Sequence, residues 1–206
     1  MKQNKIFCFS FFVFFFLLQK ELAAQYSPYS DGSPAVTKRM ACKDEGIVLR
    51  YGDGLDSCDI LGAREAIVNK ENDIYHLFYD GAGKDGWKAC LAVSKDLKNW
   101  TKKGAILELG KEGSKDAKSA SSTWIINEGD TWHMFYLGTP NTSPAPERIP
   151  AIPYYPLKAT SKSIAGPWAK KYNVILFLTK PNTFYTVTAS PGFVVKYDGK
   201  FLIFFT

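Results

Sequence analysis

Three stretches of the chain repeat one pattern of hydrophobic and polar positions, and each predicts a β-hairpin. Each stretch has a short β-branched strand, then a turn that is acidic or rich in glycine, then a second strand of aromatic and aliphatic residues. The second strands run from Tyr75 to Gly81, from Trp132 to Gly138 and from Phe201 to Thr206. Almost no segment keeps a helical period, so the pattern indicates an all-β chain.

A second motif follows the first two hairpins. The run Ala-Val-Ser-Lys-Asp-Leu at 92–97, with Trp100 after it, matches Ala-Thr-Ser-Lys-Ser-Ile at 159–164, with Trp168 after it. The two copies lie roughly 60 residues apart, and units of that size with three or four antiparallel strands are typical of β-propeller blades. The sequence therefore predicts a β-propeller.

The repeats also predict how the chain is organised. We expect a signal peptide at 1–24 and a lead-in segment at 25–58. Two full blades follow, at about 59–110 and about 119–177, and a third blade at about 186–206 ends after two strands. A propeller usually closes its ring with about four blades or more. We therefore expect this sequence to be the N-terminal portion of a longer protein, or a truncated product of one.

A proline-rich insertion separates the second and third strands predicted for blade two. It runs from Thr139 to Pro156 and holds six prolines, at 140, 144, 146, 150, 153 and 156. Proline cannot donate a backbone hydrogen bond, so the insertion is predicted to be a stiff loop rather than a strand.

The N-terminus has the three parts of a secretory signal peptide. Met1 to Lys5 carries two lysines, Ile6 to Leu18 is apolar, and Leu22-Ala23-Ala24 ends the segment with small residues. The apolar run is shorter than the roughly 20 residues that cross a bilayer, and no later segment approaches that length. We expect cleavage after Ala24, no membrane span, and a secreted or periplasmic protein.

The charge of the chain argues against nucleic acid as a partner. The net charge is +6, from 26 basic and 20 acidic residues. The lysines are interspersed with acids, as from Lys111 to Lys118, so no stripe of positive charge is available to a phosphate backbone.

Three cysteines follow the predicted signal peptide, in a compartment that permits disulfides. They are Cys42, Cys58 and Cys90, so one bridge and one free thiol are the most that the count allows. Cys42 to Cys58 would close the shortest loop, but the sequence leaves the pairing open.

The first hairpin and its following motif resemble blade one of the five-bladed propeller glycosidases, in particular glycoside hydrolase families 32 and 43. The resemblance rests on Tyr75 to Tyr79, Trp87, the run at 92–97 and Trp100, and it extends over 59–206. It implies an active site on the propeller axis, at the starts of the innermost strands. It also implies a carboxylate from blade one as base or nucleophile and a glutamate from a later blade as acid.

Glu65 is the candidate for the blade-one carboxylate. Counting back from Tyr75-His76 by the family spacing leads to Arg64-Glu65, where family members carry an aspartate, and Ala66 stands where they carry proline. Arg64 could hold a substrate group through its planar donors, or Arg64 and Glu65 could be only a surface ion pair. Asp59 is the alternative carboxylate if the register slips, although turn chemistry explains it equally well.

Blade three lacks the acid that the resemblance implies. Thr188-Ala189-Ser190-Pro191-Gly192 stands at that position and holds no carboxylate, which leaves Ser190 as a substrate-binding candidate only. The acid could come from beyond Thr206 or from a different residue. Otherwise the propeller binds sugar without cutting it.

The aromatic residues and the ligand chemistry complete the predicted site. Trp87 and Trp124 are candidate sugar platforms, whereas the repeated Trp100 and Trp168 are predicted to lie in the core. The histidines lack metal-ligand spacing, so no metal or other cofactor is predicted. Relatives sometimes hold an axial calcium ion, but the sequence identifies no ligands for one.

These observations favour a secreted glycoside hydrolase that cleaves a poly- or oligosaccharide, with carbohydrate as the partner. The alternatives are a carbohydrate-binding propeller without catalysis and an inactive truncated fragment of a glycosidase. The sequence gives neither the sugar nor the oligomeric state.

Overall fold

A computed structural model describes residues 42–146, 148–174 and 176–205 of the chain. The predicted signal peptide and most of the lead-in segment lie outside the described residues. Glu45–Thr206 forms one compact unit. Within the described part, the helical structure is a short 3-10 turn at Leu55–Ser57, and no helix has the length and apolar character that membrane crossing requires. The prediction of an all-β chain is confirmed.

Blade one is a four-stranded antiparallel sheet. Its strands are β1 (Gly62–Glu71), β2 (Ile74–Ala82), β3 (Trp87–Ser94) and β4 (Thr101–Leu107), and each pairs with the next. The turn between β1 and β2 places Asn72 and Asp73 at positive φ, which these two residue types tolerate better than most others. The β-branched and aromatic residues of the hairpin therefore form adjacent strands that are joined by a tight turn.

Blade two repeats this arrangement, with an insertion after its second strand. Its strands are β5 (Ser119–Glu128), β6 (Thr131–Thr139), β9 (Tyr155–Ser161) and β10 (Ala169–Lys170). The insertion contains a two-residue ladder between β7 (Asn141–Thr142) and β8 (Pro150–Ala151), which corrects the prediction that it has no strand. Two residues can pair here because Pro150 lies at the end of the ladder, where its missing N–H costs little.

The third hairpin consists of β11 (Pro191–Tyr197) and β12 (Lys200–Phe205). It contacts blade two: the Trp124 ring centroid lies 4.3 Å from that of Phe193, and Phe201 lies 5.6 Å from Phe135. Blades one and two meet through a short parallel pairing of Trp87 and Lys88 with Ser119 and Ala120. This pairing joins the third strand of blade one to the innermost strand of blade two.

The core fills the space between the first two blades. Phe78, Leu91 and Leu107 from blade one pack with Met134 and Tyr136 from blade two, and all five are buried. Trp168 packs against this cluster, and Trp100 packs against a smaller cluster inside blade one. Burial of repeated apolar side chains between neighbouring blades is what stabilises such an array.

Candidate active site

The innermost strand of each blade contains a β-bulge at the same position. The register shifts between Arg64 and Ile67 in β1, and the corresponding shifts lie at 121–124 in β5 and 191–194 in β11. A bulge leaves residues unpaired and redirects their side chains. In the first two blades the bulged residue has a positive φ, 52° at Glu65 and 49° at Ser122. This backbone conformation is uncommon for residues other than glycine.

The two bulges bring Glu65 and Ser122 into contact across the blade boundary. The Ser122 hydroxyl lies 2.6 Å from Oε2 of Glu65. The same hydroxyl lies 2.9 Å from Oδ2 of Asp80, and the Ser122 backbone N–H donates to Oδ1 of Asp80 over 2.5 Å. Ser122 therefore joins two carboxylates that come from β1 and β2.

The two carboxylates have different access to solvent. The Glu65 side chain is 51% exposed, whereas the Asp80 side chain is 1% exposed. Burial and the charge of Glu65 raise the pKa of Asp80 to about 7, against the opposing effects of the Ser122 hydrogen bonds and Arg64. Glu65 can meet a substrate, and Asp80 can act only through its neighbours.

Hydrogen-bond chemistry links the protonation states of this group. A serine hydroxyl carries one proton, so Ser122 can donate to only one carboxylate at a time. If Asp80 is protonated, its own O–H donates to the Ser122 oxygen, and the Ser122 proton is then available to Glu65. Asp80, Ser122 and Glu65 thus form a chain along which a proton can be held or passed.

Arg64 lies beside both carboxylates and over an aromatic ring. Its Nε atom lies 3.6 Å from Oε1 of Glu65 and 3.7 Å from Oδ2 of Asp80, both too long for hydrogen bonds. Its guanidinium carbon lies 4.3 Å from the centroid of the Trp87 ring. The indole ring supports the guanidinium through a cation–π contact, and the buried Nε–H of Arg64 has no hydrogen-bond partner among the described residues.

The two candidate sugar platforms have different environments. Trp87 is 7% exposed, one face of its ring carries Arg64, and its indole N–H donates to the carbonyl of Arg148 in the proline-rich insertion over 2.7 Å. Trp124 is half-buried, and its indole N–H donates to the carbonyl of Val194 over 2.9 Å. Trp124 retains surface for a ligand, and Trp87 supports Arg64.

Asp59 is placed apart from the Glu65 group, in contacts that recur in blade two. It is fully buried and accepts hydrogen bonds from Nζ of Lys102 over 2.5 Å and from the Tyr79 hydroxyl over 3.2 Å. In blade two, Asp116 accepts the same two bonds from Lys170 over 2.6 Å and from Tyr136 over 3.0 Å. The recurrence favours a structural role for Asp59, since it ties the chain before the innermost strand to the blade.

Ser190 lies immediately before β11 and is half-buried. Two residues earlier, the Thr188 hydroxyl donates to the carbonyl of Tyr154 and accepts from its N–H, over 3.1 and 2.5 Å. These bonds hold the segment before β11 against the end of the proline-rich insertion. The structure therefore brings Arg64, Glu65 and Trp87 together, with Trp124 at the next bulge, and places Ser190 at the entry to the third.

Sequence reasoning missed Asp80 and Ser122, although a signal for Asp80 was present. The second strands of the first two blades read Tyr79-Asp80-Gly81 and Tyr136-Leu137-Gly138, so the aspartate is a departure from an otherwise repeated run. The role of Ser122 depends on a bulge and a positive φ, which a hydrophobic pattern does not reveal.

Metal ligands are not assembled at this site. Within 42–146, 148–174 and 176–205, no group of three or more His, Cys, Asp or Glu side chains could hold a metal ion.

Comparisons with known proteins give the fold. No family model matches the chain. A family 117 glycoside hydrolase from the marine bacterium Zobellia galactanivorans aligns with a TM-score of 0.59 and 15% identity, over 76% of this chain and 51% of the other. A β-1,2-mannobiose phosphorylase from Listeria innocua aligns with a TM-score of 0.50 and 16% identity, over 72% of this chain and 37% of the other. The predicted β-propeller fold is confirmed.

One curated relative matches a shorter stretch. A 1,2-β-oligomannan phosphorylase from Thermoanaerobacter sp. (strain X514) is 36% identical over 62 residues, which is 29% of this chain and 20% of the relative. The chain spans about half the length of the first solved structure and a fifth of this relative.

Proposed function

We propose that this chain carries the blade-one carboxylate of a secreted glycoside hydrolase, and that Glu65 is that carboxylate. The observation that carries the proposal is the chain of hydrogen bonds from buried Asp80 through Ser122 to exposed Glu65. Glycoside hydrolysis needs an exposed carboxylate that can attack the anomeric carbon or take a proton from water. Glu65 has this access, and the bulge holds it in one direction.

Asp80 and Ser122 act on Glu65 in this proposal. A protonated Asp80 avoids a second negative charge beside Glu65 and donates to Ser122, which in turn donates to Glu65. This arrangement keeps Glu65 as the acceptor and fixes its carboxylate plane. Asp80 is a positioning residue rather than a catalytic one, because its burial keeps it from the substrate.

The proposal requires a second carboxyl group for the leaving oxygen. Asp80 is too buried to reach a glycosidic oxygen, and the segment before β11 contains hydroxyls but no carboxylate. We therefore expect the acid to come from chain beyond the described residues. Arg64, with Trp87 behind it, is expected to bind a substrate hydroxyl or an acidic substituent near Glu65.

Phosphorolysis is the second candidate reaction, and the curated relative of 36% identity favours it. In that reaction, inorganic phosphate replaces water as the group that attacks the anomeric carbon. Arg64 is 36% exposed and would supply donors for a phosphate oxygen. The products separate the two reactions, because hydrolysis releases a new reducing end and phosphorolysis releases a sugar 1-phosphate.

The test is to assay the full-length protein and its Glu65→Gln variant on a panel of oligosaccharides, with and without inorganic phosphate. We expect turnover by the parent protein and a loss of about 1000-fold or more in kcat for Glu65→Gln, with substrate binding retained. Glu71→Gln, at the other end of β1, is the matched control and should keep its activity. Full activity of Glu65→Gln would reject the assignment.

The same assay separates the non-catalytic alternative. A binding propeller would give saturable quenching of tryptophan fluorescence by a glycan, with neither reducing ends nor sugar 1-phosphate released. An inactive fragment would give neither signal.

Secretion is proposed from the three-part N-terminal segment at 1–24. The expected result is an exported protein whose N-terminal sequence begins at Gln25. Recovery of intact Met1 in the exported protein would contradict cleavage.

A further inference from the structure

We infer that Cys58 and Cys90 form a disulfide that fastens the segment before β1 to the centre of blade one. Both cysteines are free thiols in this structure and are buried, at 2% and 0% exposure. They belong to the same small core cluster, together with Leu77, Tyr79 and Ala92. Cys58 precedes β1, and Cys90 lies in the middle of β3.

The two residues converge on Gly81. A Cβ atom at that glycine would lie 2.5 Å from the carbonyl oxygen of Cys58 and 2.5 Å from Sγ of Cys90. The absence of a side chain at Gly81 therefore lets the segment before β1 lie directly against Cys90. The interaction of the two thiols lowers the pKa of Cys58 and raises that of Cys90.

Blade two shows that the scaffold itself does not need cysteine at either position. Lys115 precedes Asp116 as Cys58 precedes Asp59, and Leu157 pairs with Tyr136 as Cys90 pairs with Tyr79. The repeated fold therefore accommodates a lysine and a leucine there. Blade one has cysteine at both positions. A disulfide requires two cysteines there, whereas a hydrophobic core does not.

The chemistry balances with a small disulfide, such as oxidised glutathione, as the oxidant. The Cys58 thiolate attacks one sulfur of the oxidant, forms a mixed disulfide and releases one reduced thiol. The Cys90 thiolate then displaces the second thiol, so two protein thiols are oxidised and one disulfide is reduced to two thiols. Because both residues are buried after folding, we expect the bond to form while blade one is still closing.

The test is to refold the full chain in a mixture of oxidised and reduced glutathione, then alkylate it under denaturing conditions without reduction and map the peptides by mass spectrometry. The expected product joins the peptides of Cys58 and Cys90, is lighter by two hydrogen atoms than the two thiol peptides together, and leaves Cys42 alkylated. Alkylation of both Cys58 and Cys90, or a link from either one to Cys42, would overturn the inference.

Thermal unfolding gives a second measurement. We expect oxidised protein to unfold about 5 to 10 °C above reduced protein, because the bond closes a loop of about 30 residues. Cys90→Ala should remove this difference, and Cys42→Ser should retain it. An equal Tm for oxidised and reduced protein would contradict the inference, and the peptide map does not depend on whether either variant folds. None of these measurements uses sugar turnover, so their outcome is independent of the proposed function.

Discussion

Blades one and two share a fastening of the innermost strand and differ in what that strand presents at its bulge. In this fastening, a buried aspartate accepts hydrogen bonds from a lysine of an outer strand and from a tyrosine of the second strand. The three residues are Asp59, Lys102 and Tyr79 in blade one, and Asp116, Lys170 and Tyr136 in blade two. Burial raises the pKa of both tyrosines, which keeps them neutral as donors. The repeat preserves the contacts that build a blade.

The residues around the bulge are not preserved. Blade one has Arg64, Glu65 and Asp80 where the register of blade two has Ser121, Ser122 and Leu137. Three ionisable groups are costly at a partly buried position unless they pair or serve a reaction. The comparison teaches that, in this chain, function is to be sought where a blade departs from the repeat.

The first prediction concerns a variant in which Asp80 of blade one is replaced by leucine, the residue at the corresponding position of blade two. Asp80→Leu should lower kcat of the full-length protein by about 1000-fold. The Ser122 N–H loses its acceptor, and the hydrogen-bonded chain from Asp80 through Ser122 to Glu65 is broken. Steady-state kinetics on the substrate found in the panel, together with circular dichroism, measure the effect. Unchanged kcat in a folded Asp80→Leu protein would contradict a positioning role for Asp80.

The reciprocal variant is the control for this exchange. Leu137→Asp buries a carboxylate without the neighbours that blade one supplies, so it should lower the free energy of unfolding by about 3 kcal/mol and create no new activity. Activity gained by Leu137→Asp would mean that an aspartate at this position of the second strand is sufficient for activity, without neighbours such as Arg64 and Glu65.

The second prediction weakens the shared fastening in each blade. Asp116→Asn should cost about 3 kcal/mol of unfolding free energy, because Lys170, 13% exposed, loses its charged partner and keeps a contact with a backbone carbonyl. Asp59→Asn should cost less, about 2 kcal/mol, since Lys102 also contacts the carboxylate of Asp53. Urea unfolding of the two variants measures the difference.

The same variants decide whether Asp59 is structural or catalytic. If Asp59 only fastens the blade, the folded fraction of Asp59→Asn should keep the kcat of the parent protein, as Asp116→Asn should. A loss of about 100-fold in kcat for Asp59→Asn but not for Asp116→Asn would instead indicate that Asp59 is the catalytic carboxylate.

The third prediction uses the pKa of Asp80, raised by burial from 3.8 to about 7. The folded protein keeps this proton at pH values where the unfolded chain has lost it, so the stabilisation is complete below about pH 4 and is lost as the pH rises through 7. Relative to Asp80→Asn, the free energy of unfolding of the parent protein should fall by about 2 kcal/mol from pH 5 to pH 7. Parallel stability curves for the two proteins would contradict the shift.

Much of the fold could be predicted because it follows from repeated local patterns. The alternation of β-branched and aromatic residues around acidic turns predicts the hairpins, and two strands of each appear in the structure. The ladder of β7 and β8 could not be predicted, since it depends on contacts such as that of the Thr139 hydroxyl with the Ala151 carbonyl, over 2.6 Å, rather than on propensity.

The site was less predictable, because its geometry arises between blades. Family spacing led to Arg64 and Glu65, but the partner of Glu65 is a serine 57 residues away that only the two bulges bring close. Asp59, by contrast, lies near Glu65 in sequence and is turned into the blade by Lys102 and Tyr79. Separation in the sequence therefore does not indicate which residues contact Glu65, because distant Ser122 does and nearby Asp59 does not.

The last prediction compares the two tryptophans at the bulges and has the smallest expected effect. Trp124 is half-buried and contacts Phe193, so Trp124→Ala should remove a stacking surface for sugar and raise KM by about 10-fold with little change in kcat. Trp87 is buried under Arg64, so Trp87→Ala should instead lower the free energy of unfolding and reduce kcat, because the guanidinium loses its support. Kinetics and urea unfolding of both variants separate the two roles. An increase in KM for Trp87→Ala with unchanged stability would show that the Trp87 ring, and not that of Trp124, meets the substrate.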